Sequence, residues 1–290
     1  MLRFIKVDVL FDDTPFPPPL FLGSMLRGAF GVSLKKVVCI NPSYKCEGCF
    51  ATENCLFYDF YEKKNVFHPF RFDTDLGQEN FNFTFYLFEE ATNKLPYVLS
   101  AFHKMFTEQG IGVNREKMDI KKIICNGKTV YEEGKFDLSN VFEEEFEEGR
   151  YTPDIRLSFK TPLRIKYQNK LLRKKPEFRF LIQSIYNRYR ELKGLSRERL
   201  PFEPSCKEIR ADVRFRDITR YSNRQKTKMQ IGGIVGEIEY EDVDRESFKL
   251  LKLAKIIGVG KQTVFGLGKI EVQEIEKAQK SAKQIETCES

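Results

Sequence analysis

Apolar and charged side chains alternate from Leu2 to Leu10, the period-two pattern of a strand with one face buried. After the proline-rich turn from Pro15 to Pro19 the period changes. Leu26, Phe30, Leu34 and Val37 recur at helical spacing and predict a helix over 23–37, with Ser24 near its start; Gly28, Ala29 and Gly31 would let that helix lie close to a sheet. Residues 81–88 alternate as a strand and 95–106 as an amphipathic helix. Residues 121–131 read as two short strands turned at Asn126-Gly127, a dipeptide that accepts the positive φ of a tight hairpin.

The second half repeats this order. Residues 155–161 alternate as a strand, and a basic loop leads to Pro176, a good first helical residue. The helix that follows has the apolar stripe Phe178, Leu181, Ile182, Ile185, Tyr189 and Leu192, with Arg179, Arg188 and Arg190 outside it. Residues 231–240 predict a strand, 247–257 a second amphipathic helix and 266–272 a closing strand. The pattern is that of an α+β chain made of two tandem ferredoxin-like (RRM-like) domains, in which helices cover one face of each antiparallel sheet. The acidic run from Glu143 to Glu148, followed by Gly149 and Arg150, reads as a linker or long surface loop. The expected division is 1–148, carrying a four-cysteine insertion, then 149–275, carrying a glycine-rich loop, and a tail over 276–290.

Charge divides the chain at the same place. Residues 1–150 hold 18 basic and 23 acidic side chains, or −5, whereas 151–290 hold 31 and 19, or +12. Within 160–228 the count is 21 against 7, an excess that must repel itself or face a polyanion such as RNA, DNA or an anionic membrane. No apolar run approaches the ~18 residues that span a bilayer, so a cytoplasmic protein without a membrane partner is expected. The basic side chains of interest are Arg164, Lys166, Lys170, Arg173, Lys174 and Lys175, then Arg214, Arg216, Arg220, Arg224, Lys226 and Lys228. Tyr167, Phe215 and Tyr221 lie among them, as base stacking beside phosphate pairing requires, although these rings fit a core equally well. Arg214 and Arg216 alternate with Val213 and Phe215 and would share one strand face.

Two clusters carry further chemistry. Cys39-x6-Cys46-x2-Cys49-x5-Cys55 places four of the seven cysteines within 17 residues. In a cytoplasmic chain this points to thiolate ligation, with structural zinc favoured, an iron-sulfur cluster compatible with the same ligands, and metal-free buried thiols as the alternative. Four thiolates leave no open coordination position, so such a metal braces the chain and performs no catalysis. The second cluster is Gly258-x-Gly260-Lys261-Gln262-x3-Gly266-x-Gly268. It fits neither a dinucleotide-binding fingerprint nor a Walker loop, because Thr263 replaces a required glycine and Gln262 follows the lysine. It reads as a loop whose backbone N–H groups can approach a phosphate, or as a tight turn.

This pattern near the carboxyl terminus resembles the glycine-rich signature of the RAMP superfamily of CRISPR-associated RNA-binding proteins, in particular its repeat-processing endoribonucleases. Phe21-Leu-Gly23-Ser-Met-Leu26-Arg27-Gly28-Ala-Phe30-Gly31, Gly110-Ile-Gly112, Arg220-Tyr-Ser222-Asn-Arg224-Gln225 and Gly232-Gly233-Ile-Val-Gly236 match further. The resemblance implies repeat-RNA binding and cleavage of the precursor transcript without a catalytic metal: a ribose 2′-hydroxyl attacks the adjacent phosphate, leaving a 2′,3′-cyclic phosphate and a 5′-hydroxyl. Many members carry a catalytic histidine in or near the first helix, and 23–37 contains none. The chain's two histidines, His68 and His103, read as structural or surface groups, which leaves Arg27, Lys35 and Lys36 as candidates for stabilising charge. Arg164, Lys166, Arg173, Lys174, Arg214, Arg216, Arg220, Arg224, Lys226 and the loop from Gly258 to Gly268 are the candidate RNA contacts. A non-cleaving RAMP subunit holding guide RNA among other effector subunits is one alternative, and a zinc-braced nucleic-acid-binding module is another. Monomer and homodimer both stay open.

Overall fold

Val7 and Val9 are wholly buried on β1 (Arg3–Leu10), and the helix α1 (Leu22–Val38) presses Leu26, Phe30 and Leu34 onto the same core. The computed structural model describes residues 1–168, 170–222 and 227–275. After α1 come β2 (Phe70–Asp73), β3 (Phe83–Phe88), α2 (Leu95–His103) and β4 (Lys122–Cys125). The strands pair antiparallel in the order β2-β3-β1-β4, the ferredoxin-like arrangement, and β5 (Lys128–Glu132) and β6 (Lys135–Phe136) extend the β4 edge. Phenylalanines fill the space between sheet and helices. Phe30 lies 4.9 Å from Phe102 and 5.3 Å from Phe85 between ring centroids, at the inclined angles that aromatic quadrupoles favour.

The predicted hairpin forms at Asn126-Gly127, both residues having positive φ, and the Asn126 side chain accepts a hydrogen bond from the Lys6 amide at 2.8 Å. The acidic run is more than a linker. Its β7 (Glu144–Glu145) pairs with β1, and Phe146 is buried in the core of the second half.

That second half is built from β8 (Ile155–Leu163), the short hairpin β9 (Lys166–Tyr167) and β10 (Lys170–Leu171), α3 (Phe178–Leu192), β11 (Lys207–Arg216), a hairpin of β12 (Thr219–Ser222) and β13 (Thr227–Gln230), then β14 (Gly233–Glu241), α4 (Arg245–Ile257) and β15 (Ile270–Glu274). Its four-stranded sheet runs β11-β14-β8-β15, the same order as in the first half. Asp244 caps α4 by accepting from the Ser247 amide at 2.9 Å.

Several expectations need correction. Ser24 does not cap α1, which begins at Leu22 without a side-chain cap. Gly28 meets nothing within 4 Å; close approaches occur at Gly31, where a Cβ would stand 2.6 Å from Tyr61 Cε1, and at Gly23, where it would stand 2.0 Å from the Phe265 carbonyl oxygen. Pro176 precedes α3 rather than opening it, and residues 266–269 are not strand, because a 3₁₀ turn over Thr263–Phe265 comes first. Arg188, placed outside the stripe of α3, is 1% exposed. The tail 276–290 lies outside the described residues.

Arg188 is buried because it reaches the end of α4. Its Nε donates to the Ile257 carbonyl at 2.6 Å. Arg71 of β2, wholly buried, donates from Nη1 to the Ile256 and Lys255 carbonyls at 3.1 and 3.4 Å and from Nη2 to Asp73 at 2.7 Å. The last carbonyls of a helix lack intrahelical donors and carry its negative pole, so two guanidinium groups, one from each half, satisfy both needs. Gly258 takes φ +71° just past the helix end, and a Cβ there would stand 2.9 Å from Arg71 Nη1. Lys269 adds a bridge to Asp73 and Asp75 at 3.0 and 2.9 Å; burial opposes its charge, but the two carboxylates outweigh burial and raise its pKa.

Three substitutions test this account by urea denaturation. Arg71→Met removes a buried charge from its partners and is expected to cost about 3 kcal/mol. Gly28→Ala, on an open helical face, is expected to stabilise the protein by about 1 kcal/mol, whereas Gly23→Ala is expected to destabilise it through the Phe265 carbonyl clash. Equal effects of the two glycine substitutions would overturn the assignment of α1 packing.

Candidate nucleic-acid interface

The glycine loop does not offer the open backbone cradle expected from its sequence. Gly258, Gly260, Gly266 and Gly268 are all buried. The amides of Gly258, Gly266 and Gly268 donate to the carbonyls of Ala254, Thr263 and Pro162, and those of Val259 and Lys261 to the carbonyls of Gly268 and Arg164. A Cβ on Gly268 would lie 1.9 Å from the Val259 carbonyl oxygen, so the glycine is required for the loop to fold against itself. The loop drives Val264, Phe265 and Leu267 into the core of the first half, while the Lys261 side chain stays exposed and Gln262 half-buried, with φ +64°.

What the loop places at the junction is an aromatic ring between cations. The Arg27 and Arg220 guanidinium carbons each lie 4.5 Å from the Phe265 ring centroid, and Arg27 lies the same distance from Tyr61. Tyr61 donates its hydroxyl to the Arg27 carbonyl at 2.7 Å, and burial raises its pKa, so the phenol keeps its proton. Desolvation, with repulsion from Arg27, lowers the pKa of Arg220. Two like charges held together by packing form a site that an anion would relieve.

A second group adjoins the first. Phe67 has Arg188, Arg197 and Lys261 at 4.9, 5.7 and 5.6 Å from its centroid. Burial lowers the Arg188 pKa to about 9, with Arg71 adding repulsion, and its two terminal nitrogens have no hydrogen-bond partner among the described residues. Burial and the nearby Arg197 also lower the pKa of Lys261. His68 follows Phe67. Its Nδ1 lies 2.9 Å from the Asp59 carbonyl oxygen, which can only accept, so the neutral ring carries its proton on Nδ1 and leaves the lone pair on Nε2. Burial lowers the His68 pKa below the usual imidazole value, and the charges of Arg27 and Arg188 push the same way. Sequence reading missed this group because the histidine lies far from α1 in the chain, and only folding brings it beside Arg27.

The other sequence candidates separate. Lys35 and Lys36 stand eight and nine residues along α1 from Arg27, about 12 Å or more at ~1.5 Å per residue. Lys36 is exposed, and Lys35 Nζ lies 3.4 Å from Cys46 Sγ. Arg164 is half-buried, donating to the Gly232 carbonyl and bridging Gly260, which ties it to the loop. Lys166, Lys174 and Arg214 are exposed, and Arg216 is half-buried. As expected, Val213 and Phe215 face the core, leaving Arg214 and Arg216 on the opposite face of β11. Phe215 is not an open stacking ring, because Arg173 covers it at 3.9 Å while pairing with Asp217 at 3.6 Å. Arg224 and Lys226 lie outside the described residues. His103 packs against Tyr131 and Phe136, in keeping with a structural role.

Cys39, Cys46, Cys49 and Cys55 line one cavity of about 20 Å³. As the sulfurs stand, no group of three or more histidine, cysteine, aspartate or glutamate side chains among the described residues is placed to hold a metal ion, so the zinc expectation gains no support from ligand geometry. No helix among the described residues is long and apolar enough to cross a membrane.

Comparison with known proteins adds to this picture. Residues 5–145 match the family model of an N-terminal domain, and residues 157–270 match that of the CRISPR-associated endoribonuclease Cas6. An uncharacterised protein of Archaeoglobus fulgidus is 24% identical, the alignment covering 92% of this chain and 96% of that protein. Among solved structures, a Cas6 product complex is similar with a TM-score of 0.56 at 15% identity, covering 94% of this chain and 99% of that one. Thermus thermophilus Cas6 is similar with a TM-score of 0.52 at 13% identity, covering 94% and 98%. The paired ferredoxin-like fold is thus shared along the chain's length, and its carboxyl-terminal residues 157–270 are similar to the family of CRISPR-associated Cas6 endoribonucleases.

Proposed function

We propose that this protein binds the repeat RNA of a CRISPR precursor transcript and cleaves it by metal-independent transesterification at the junction of its two domains. The observation that carries the reading is a buried His68, its pKa lowered by burial and by the charges of Arg27 and Arg188, following Phe67 and its cations in the chain. The match of residues 157–270 to the Cas6 family model supports the same reaction class.

The reaction needs a base for the 2′-hydroxyl and cations for the charge that develops on the phosphorane. His68 is suited to the first task, since its Nε2 lone pair is free of a proton at neutral pH. The proton it takes can return to the leaving 5′-oxygen, so one imidazole serves both halves of the transfer. Arg27, Arg188, Arg220 and Lys261 supply the charge, and the exposed Lys166, Lys174 and Arg214 extend a basic track for the flanking strand. Arg27 keeps its sequence-assigned role, whereas Lys35 and Lys36 are better placed as helix surface near the cysteines.

The direct test is incubation of the protein with its repeat RNA in EDTA. A product ending in a 2′,3′-cyclic phosphate is expected, with His68→Ala slowing cleavage by about 10²- to 10⁴-fold and Lys36→Ala leaving it near wild type. Tight binding without any cut by the wild-type chain would instead assign it as a non-cleaving guide-RNA subunit. The pH profile supplies a second check. Because the folded His68 has a lowered pKa, the basic form persists to lower pH, so single-turnover cleavage is expected to fall only below the ordinary imidazole value of about 6.5. A loss of activity beginning well above it would remove His68 as the base. Finally, Arg220→Ala is expected to weaken RNA binding and reduce the slope of log affinity against log salt by about one; an unchanged slope would place Arg220 away from the phosphates.

A further inference from the structure

The segment from Cys39 to Cys55 joins α1 to the rest of the first domain through local hydrogen bonds and little apolar burial. None of its 17 residues is fully buried. Its large apolar side chains face outward: Ile40 is 71% exposed, Tyr44 49% and Phe50 76%. Regular structure is limited to one 3₁₀ turn at Thr52–Asn54. Seven of the 17 residues are half-buried, and all four cysteines are among them. A segment of this length without an apolar core cannot offset its ordering entropy by burial, and needs a cross-link or a metal to keep one conformation.

The four cysteines are gathered around one space. They line the same cavity of about 20 Å³ together with Lys35, Lys45, Thr52, Phe57 and Tyr58. None is in a disulfide. The Cys49 amide donates to the Cys46 carbonyl at 3.3 Å, closing the tight turn that brings the two ends of a C-x2-C knuckle to one side. Charge fits as well. Four thiols that bind a divalent cation release four protons and form a centre of net charge −2, and Lys35, with Nζ 3.4 Å from Cys46 Sγ, and Lys45 line its wall. The sulfurs line the space without converging at bonding distance, so binding an ion requires them to move inward.

We propose that Cys39, Cys46, Cys49 and Cys55 bind one zinc ion that fixes the 39–55 segment against the carboxyl-terminal end of α1. The site is closed and structural, and it stands independently of the RNA reaction at the domain junction. Elemental analysis of the purified full-length protein tests it. About one zinc per chain is expected, with Cys46→Ser and Cys49→Ser each reducing it at least tenfold while Cys206→Ser retains it. Should the serine variants fail to fold, titrating the wild-type protein with a mercurial in the presence of a zinc-sensitive dye is expected to release the ion as four thiols react. Metal-free protein whose four thiols react at once with a disulfide reagent would overturn the proposal. Zinc that persists in both serine variants, or iron with acid-labile sulfide in its place, would overturn it too.

Discussion

The end of helix α4 is the point on which the two halves of this protein depend. Its final carbonyls carry the helix's partial negative charge into a place shielded from water, where unpaired acceptors are costly. Arg71 from the first sheet and Arg188 from α3 pair with them, and Gly258 takes the left-handed turn that makes room for Arg71. From that turn the chain runs directly into the core of the other domain, inserting Val264, Phe265 and Leu267. The glycine signature is therefore first a device for domain docking, and its amides are largely occupied by the chain's own carbonyls.

Docking in turn creates the site. Phe265, delivered by the loop, sits under two guanidinium groups, one from α1 and one from the β12 strand. Arg188 caps α4 with one nitrogen while its other two have no hydrogen-bond partner among the described residues and lie beside Phe67, so a residue that stabilises the junction also places charge there. Such a concentration of like charge opposes folding in the absence of a counter-ion. The proposed RNA ligand would supply that counter-charge to the positive residues that both domains bring to one seam.

Much of the architecture was legible along the chain. Periodicity located α1, α3, α4, β1 and β8 within a few residues, because each has one buried face and the apolar spacing records it. The hairpin at Asn126-Gly127 was equally plain, since few dipeptides accept two successive positive φ values. Of β11 only 213–216 showed as a strand, because an exposed edge strand has no sustained apolar alternation. Arg188 was misjudged for a different reason. Helical periodicity reports which positions face inward but cannot say that an inward charge will find carbonyl partners on a helix 69 residues away.

By itself the sequence determined the α+β class, the repeated half, the basic character of the second half and the cysteine spacing, for these are local periodicities and counts that need no partner in space. Only the tertiary structure decided that the glycines are buried, that Arg27 parts company with Lys35 and Lys36, and that His68 stands among cations. Those facts depend on contacts between residues distant in the chain, and on how much water each contact excludes, which no local pattern encodes.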